Sequence, residues 1–185
     1  KHPIRLGSKY PPPSAFIEDM RRMHKTLGIA RGLMVQATPH GTDHSLLLDL
    51  LAEEKRYVGA AIIDDSTSDK ELQRLHDGGF RSARFNFAKF LGISPSPETF
   101  KRCIARISEM GWVAKIHAVA DEYLEIADLL RPLKITTVID HMGHFYFKDG
   151  LGQPVIPLLL ELMKDRKSTR LNSSHVSESR MPSSA

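Results

Sequence analysis

The chain is poor in several things that would place it quickly. A single cysteine, Cys103, stands in 185 residues. It cannot close an internal disulfide, so a disulfide-stapled scaffold is excluded and a reducing compartment, the cytoplasm, is the expectation. No apolar run approaches the roughly 18 residues at which a membrane-spanning helix becomes the reading. Neither glycine phosphate fingerprint occurs, GxGxxG or GxxxxGK[ST], which removes the simple dinucleotide and P-loop readings. Charge of one sign is also scarce. Lys plus Arg number 26 against 22 Asp plus Glu. Four of those bases (Arg166, Lys167, Arg170, Arg180) and two acids (Asp165, Glu178) lie in the last 21 residues, which leaves 22 against 20, or +2, for the body. A body so nearly neutral gives no footprint for nucleic acid. With 41% hydrophobic and 26% charged residues the composition is that of an ordinary globular domain.

The composition changes abruptly at Asp165. DRKSTRLNSSHVSESRMPSSA is rich in serine, has almost no apolar periodicity, and reads as a solvated, disordered tail. DRKSTRLNSSH and the closing SRMPSSA resemble the in-frame translation of a sequencing-library adapter. Val176, Ser177 and part of Glu178 fall where its variable index would lie. A scar of this kind is set aside from fold reasoning, and His175 with it. The other end starts at Lys1, with no methionine and no signal-peptide core. The expectation is a natural domain over 1–164 that is open at both ends, followed by a disordered, non-native tail over 165–185.

Within 1–164, helix and strand patterns alternate. Phe16, Ile17, Met20, Met23 and Leu27 mark one helical face, with Gly28 as a C-terminal cap. Arg31–Thr38 reads as a strand. Asp43 caps a helix carrying Leu46, Leu47, Leu50 and Leu51. Tyr57–Ile63 is a second strand, and Ser68 with Glu71 forms a capping box ahead of Leu72 and Leu75. Phe80–Phe87 is a third strand. Ser96 and Pro97 open a helix that ends before Gly111. Trp112–His117, a helix over Asp121–Leu130, the strand Ile135–Asp140 and a helix over Val155–Lys164 follow. Strand centres recur every ~25 residues, the length of a strand–helix unit with short loops. Strict alternation predicts a parallel sheet with helical crossovers. A doubly wound sheet and a (β/α) barrel both satisfy it.

Polar residues gather where the strands end. Gln36, Thr38 and His40 follow the first strand, and Asp64 and Asp65 the second. Arg84 and Asn86 lie late in the third, His117 ends the fourth, and Asp140 with His141 ends the fifth. A barrel builds its active site on that face. Each candidate also has a plainer reading. His117 and His141 are either neighbouring zinc ligands or satisfied core histidines. Arg84 is either a salt-bridged core arginine or, through its planar fork, a carboxylate grip. Thr38 and His40 are either substrate contacts or loop residues. His144 reads as a loop bystander, and His2, His24, His44 and His76 as surface or helix residues. Cys103 lies mid-helix and reads as core.

Four segments carry a resemblance. VQATPHGTDH, GGFRSARFNF, the Gly111–Trp112 pair and IDHMGH, in that order, resemble the amidohydrolase-related TIM-barrel family, over essentially all of 1–164, and most of all its 2-pyrone-4,6-dicarboxylate lactonase branch. The resemblance implies an α/β fold, a partial (β/α)8 barrel of about five parallel strands matching family strands two to six. It implies water attack on a small carboxylated lactone or similar ring. His141 is then the catalytic histidine that polarises or positions the scissile carbonyl. Arg84, Thr38, His40 and Tyr10 contact substrate. Two departures matter. Phe90 stands where the dicarboxylate lactonases carry a second arginine, and His117 where they carry a tyrosine. A histidine on that strand leans toward the metal-dependent members, so His117 is either a substrate contact or, with His141, a zinc ligand. A family decarboxylase of an unsaturated acid is the alternative reaction, and an inactive truncated fragment the alternative state. Oligomeric state is left open.

Overall fold

A computed structural model describes residues 16–164 and 169–171. Its elements are α1 (Ile17–Thr26), β1 (Gly32–Val35), α2 (Ser45–Glu53), β2 (Tyr57–Ala61), α3 (Asp69–Asp77), β3 (Phe80–Asn86), α4 (Pro97–Glu109), β4 (Val113–His117), α5 (Asp121–Glu125), α6 (Ala127–Leu130), β5 (Thr137–Ile139), α7 (Val155–Lys164) and β6 (Thr169–Leu171). The two capping serines act as read, while the Glu71 carboxylate, expected to close a capping box, is taken by Arg74. Ser68 Oγ accepts from the Glu71 amide at 3.1 Å, and Ser96 Oγ from the Thr99 amide at 3.1 Å. Pro97 occupies the first turn of α4. The helix expected over Asp121–Leu130 divides at Ile126 into α5 and α6. Thr38–His40, expected at the end of the first strand, is a separate 3-10 turn.

Every strand pair is parallel, and the order across the sheet is β1-β2-β3-β4-β5-β6. That order decides between the two architectures left open. A doubly wound sheet reverses direction at a switch point; here each new strand adds to the same edge, as in a barrel. The five expected strands are curled into a half-barrel, and no helix of the described residues is long and apolar enough to cross a membrane.

The register separates two faces. Phe85, Ile116 and Ile139 are partners across β3, β4 and β5 and are buried. Phe85 meets Phe100 of α4 edge to face, ring centroids 4.9 Å apart, so this row faces the helices. The opposite row pairs Arg84 with Lys115 and Val138, and Asn86 with His117. That inner face is where the ionisable groups converge. Toward β1 it is apolar and open: Leu33, Val35 and Val58 are 37–39% exposed. Val35 therefore lacks the cover that a closed barrel would place on it.

Thr169–Leu171 lies parallel to β5, with Thr137, Val138 and Ile139 opposite Thr169, Arg170 and Leu171. An uncovered edge of β5 presents a row of backbone donors and acceptors, a ready template for any short extended segment. The rest of the tail, 165–168 and 172–185, lies outside the described residues.

Three histidines read as surface or helix residues are in fact packed. His24 Nδ1 lies 2.6 Å from the Tyr57 hydroxyl, and His76 Nδ1 accepts from Trp112 Nε1 at 2.9 Å. His44 is buried against the edge of Phe80. Burial pushes its pKa below the usual 6.5, an effect the Ile62 backbone only partly offsets. The unfolded chain then binds more protons than the folded one as pH falls. Stability is complete above about pH 6.5 and is lost below it, by about 1.4 kcal/mol per pH unit for as long as the folded ring stays neutral. His117 acts in the same direction. Urea unfolding of His44→Leu should show a shallower loss between about pH 7.5 and pH 5.5 than the parent chain; equal slopes would remove His44 from this role.

Candidate active site and metal centre

Arg84 sits where two features meet. On one side lies a cleft of about 530 Å³ over the ends of β1, β2 and β3, lined by Thr38, Ile62, Asp64, Arg84, Asn86 and Thr99 among others. On the other side stand three histidines. The structure thus brings Thr38 and Arg84 to one cleft, whereas that cleft is bordered by Gly41 and Thr42 rather than by His40. Tyr10 lies outside the described residues. Gln36, which followed the first strand as a candidate, is buried and holds its own loop together, its Nε2 donating to the carbonyls of Gly41 and Asp43 at 3.0 and 2.7 Å. Asp65 is taken up at the surface by Arg102, which holds its carboxyl down at about 2.

The guanidinium of Arg84 is mostly buried, and desolvation lowers its pKa. Nη2 lies 2.8 Å from His117 Nδ1, and Nε lies 3.8 Å from Asp140 Oδ2. Asp140 Oδ1 takes the ammonium of Lys115 at 2.6 Å, both side chains being buried. Two cations therefore share one carboxylate in the interior, a buried excess of one positive charge among these three groups. Lys115 was missed as a site residue. The signal was present in WVAKIH, where a lysine two residues before the histidine shares its face.

His117 and His141 converge, with ring centroids 5.0 Å apart. His144, read as a bystander, joins them: its ring lies 4.6 Å from His141, and its Nε2 lies 3.2 Å from His117 Nε2. One ring nitrogen from each of the three lies within 4.8 Å of the others. Burial first, then the Arg84 guanidinium and the two neighbouring imidazoles, push the His117 pKa down to about 3, so its ring is neutral at ordinary pH. His117 Nδ1 faces two partners that ask for opposite tautomers. Arg84 donates to an unprotonated Nδ1, while the Asn86 Oδ1 at 3.1 Å accepts from a protonated one. In the first state Nε2 carries a proton to donate. In the second, Nε2 offers a lone pair, as a metal ligand does.

His141 and His144 are held by an unusual turn. His141, Met142, Gly143 and His144 all have positive φ, at 53°, 54°, 76° and 50°. This is a short left-handed turn, costly for residues that carry a Cβ. The Gly143 carbonyl accepts from the Ala120 amide at 2.9 Å, tying the turn to the loop after β4.

The chain is similar to known proteins over most of its length. The amidohydrolase family model covers residues 1–184, and the chain belongs to that family. A 2-pyrone-4,6-dicarboxylate hydrolase of Comamonas testosteroni is 34% identical over 167 residues, 90% of this chain and 55% of the relative. A 4-sulfomuconolactone hydrolase of Hydrogenophaga intermedia is 29% identical over 166 residues, 89% of this chain and 55% of the relative. Among solved structures, a protein of Agrobacterium tumefaciens superposes with a TM-score of 0.81 at 26% identity, over 98% of this chain and 66% of that one. An amidohydrolase of Burkholderia multivorans crystallised with zinc superposes with a TM-score of 0.68 at 16% identity, over 88% and 60%. The chain thus spans about half the length of the two lactone-hydrolase relatives.

Proposed function

We propose that the protein to which this chain belongs hydrolyses a small carboxylated lactone. Water adds to the acyl carbon, the ring C–O bond breaks, and a ring-opened acid leaves. The observation that carries this reading is the buried excess of positive charge: among the described residues Arg84 and Lys115 share the one carboxylate of Asp140, and Arg84 lines a cleft of small-ligand size. Buried cations left short of counter-charge favour an anion, and the fork of Arg84 suits a carboxylate. The relatives named for 2-pyrone-dicarboxylate and sulfomuconolactone substrates point the same way. His141 is the carbonyl-polarising residue. Neutral His117, with Nδ1 engaged by Arg84, donates from Nε2 to the oxygen on which charge develops. Thr38 contacts the substrate from the far wall of the cleft.

The donor set also fits a metal. Two nitrogens on a tetrahedral zinc with bonds of about 2.0–2.1 Å lie about 3.3 Å apart. His117 and His144 nitrogens are 3.2 Å apart, and Asn86 Oδ1 is placed as an outer-shell acceptor for His117. In the metal-dependent version of this reading, His117 and His141 hold zinc, which when bound supplies Lewis-acid polarisation and a water of lowered pKa. The domain limit at residue 164 belongs to the same proposal, with 165–185 as appended sequence and β6 as an opportunistic pairing on β5.

The test needs a protein that carries the rest of the barrel. It should open 2-pyrone-4,6-dicarboxylate or a related carboxylated lactone and leave the uncarboxylated ring nearly untouched. Arg84→Lys keeps the charge but loses the fork, and kcat/KM on the carboxylated substrate should fall by the equivalent of ~1.5–3 kcal/mol. Equal turnover of both lactones, or an unaffected Arg84→Lys enzyme, would return Arg84 to a structural role.

A further inference from the structure

We infer that His144 completes a three-imidazole site, with His117 and His141, that binds one divalent transition-metal ion on this chain as it stands. The inference is independent of the lactonase reading, since it needs neither a substrate nor residues from elsewhere in a longer protein.

The placement starts with the turn. A 3-10 turn has three residues per turn, so side chains at i and i+3 lie in line. His141 and His144 are such a pair, and the left-handed hand of the turn sends both toward β4 instead of letting the chain continue away from it. A right-handed turn of the same length would direct the pair elsewhere. The fold therefore spends several unfavourable φ values on one result, the convergence of two imidazoles on His117. Backbone strain of that kind collects where a site is held in place.

The donors define the ion. All three ligating atoms are imidazole nitrogens within 4.8 Å of one another, and His117 is buried. Neutral imidazoles suit Zn2+, Co2+, Ni2+ or Cu2+; Mg2+ and Ca2+ want oxygen. The nearby carboxylate, Asp140, is committed to Lys115. On ion binding, His117 Nδ1–H turns to Asn86 Oδ1, and the Arg84 contact to Nδ1 is given up. The nearness of Arg84 opposes a dication, so micromolar binding is expected instead of the very tight binding of a closed structural zinc site.

Cobalt titration of the purified 185-residue chain decides it, because Co2+ on nitrogen ligands gives visible d–d absorption that Zn2+ then bleaches. The expected result is one Co2+ per chain. His144→Gln should weaken binding about tenfold or more, at least the loss that outer-shell partners alone cause. A His2→Ala/His175→Ala double variant should bind as the parent does. A second readout on the unmodified chain covers the case in which His144→Gln fails to fold: Zn2+ should protect His141 and His144 from diethylpyrocarbonate, located by peptide mass spectrometry. Any of three results would overturn the site: no binding at millimolar metal, no protection of His144, or affinity that follows His2 and His175.

Discussion

Asp140→Ala is expected to cost about 3–5 kcal/mol, a large share of the roughly 5–15 kcal/mol by which ordinary domains are stable. Lys115 and Asp140 are both almost fully buried, 2.6 Å apart, and Arg84 leans on the second oxygen at 3.8 Å. Removing the carboxylate leaves two interior cations facing each other with no counter-charge. The cost is chiefly that of the stranded charge, and only secondarily the lost attraction. The discriminating partner is Asp140→Ala/Lys115→Met, which removes one cation together with the anion and fills its volume with an apolar chain. It should recover most of the loss, since replacing a whole buried pair by apolar groups is often close to neutral. Trp112, buried and the only tryptophan, reports both transitions by fluorescence in urea. By contrast, breaking the exposed Arg131–Glu161 pair should hardly shift the midpoint. If the double variant is no better than the single one, the charge argument fails and Asp140 matters for its place in the turn.

Much of this was legible beforehand, and the reason is periodicity. The helix and strand repeats, the capping Ser68 and Ser96, and the fall of Arg84, His117 and His141 at strand ends all follow from local pattern. In a parallel sheet, the end of one strand lies beside the end of the next. What pattern could not supply was chirality and tertiary burial. HMGH reads as a loop unless its four residues are known to turn left-handed, so His144 looked idle. His44 follows Asp43 at a helix start and looks exposed; only the packing of Phe80 buries it. Nor does a run of threonine, arginine and leucine announce a strand. Its pairing partner, β5, lies some thirty residues earlier in the chain, beyond the reach of any local pattern.

The same distinction separates the two faces of the sheet. The helix-facing rows, Phe85, Ile116 and Ile139, were predictable as core and are buried. On the inner face at β1, Leu33 and Val35 are as apolar as any core pair yet remain more than a third exposed. Hydrophobicity predicts that such residues seek cover; it does not say whether the covering atoms belong to the stretch of chain at hand. The ionisable end of that face is better served, because Lys115, Asp140, Arg84 and the histidines contact one another around the ends of three neighbouring strands, although Arg84 Nε finds no hydrogen-bond partner among the described residues.

Gly143→Ala should be the most damaging glycine substitution at the site, at about 2–5 kcal/mol. Two effects combine. A Cβ at φ 76° meets the left-handed penalty of about 1–2 kcal/mol. It also lands 2.8 Å from Leu159 Cδ1 and 3.1 Å from Cδ2, so α7 must shift or the turn must open, an overpacking cost of about 1–3 kcal/mol. Gly111 separates them. Its φ is 66° and a Cβ there would meet no atom within 4 Å, so Gly111→Ala bears the backbone penalty alone. Opening the turn would also release the Ala120–Gly143 hydrogen bond and swing His141 and His144 off His117. Gly143→Ala should therefore lose cobalt affinity under conditions where circular dichroism shows it still folded, while Gly111→Ala keeps it. Equal stability losses at the two glycines would mean that Leu159 gives way freely, and that the left-handed turn is held by the Ala120 contact without help from the helix behind it.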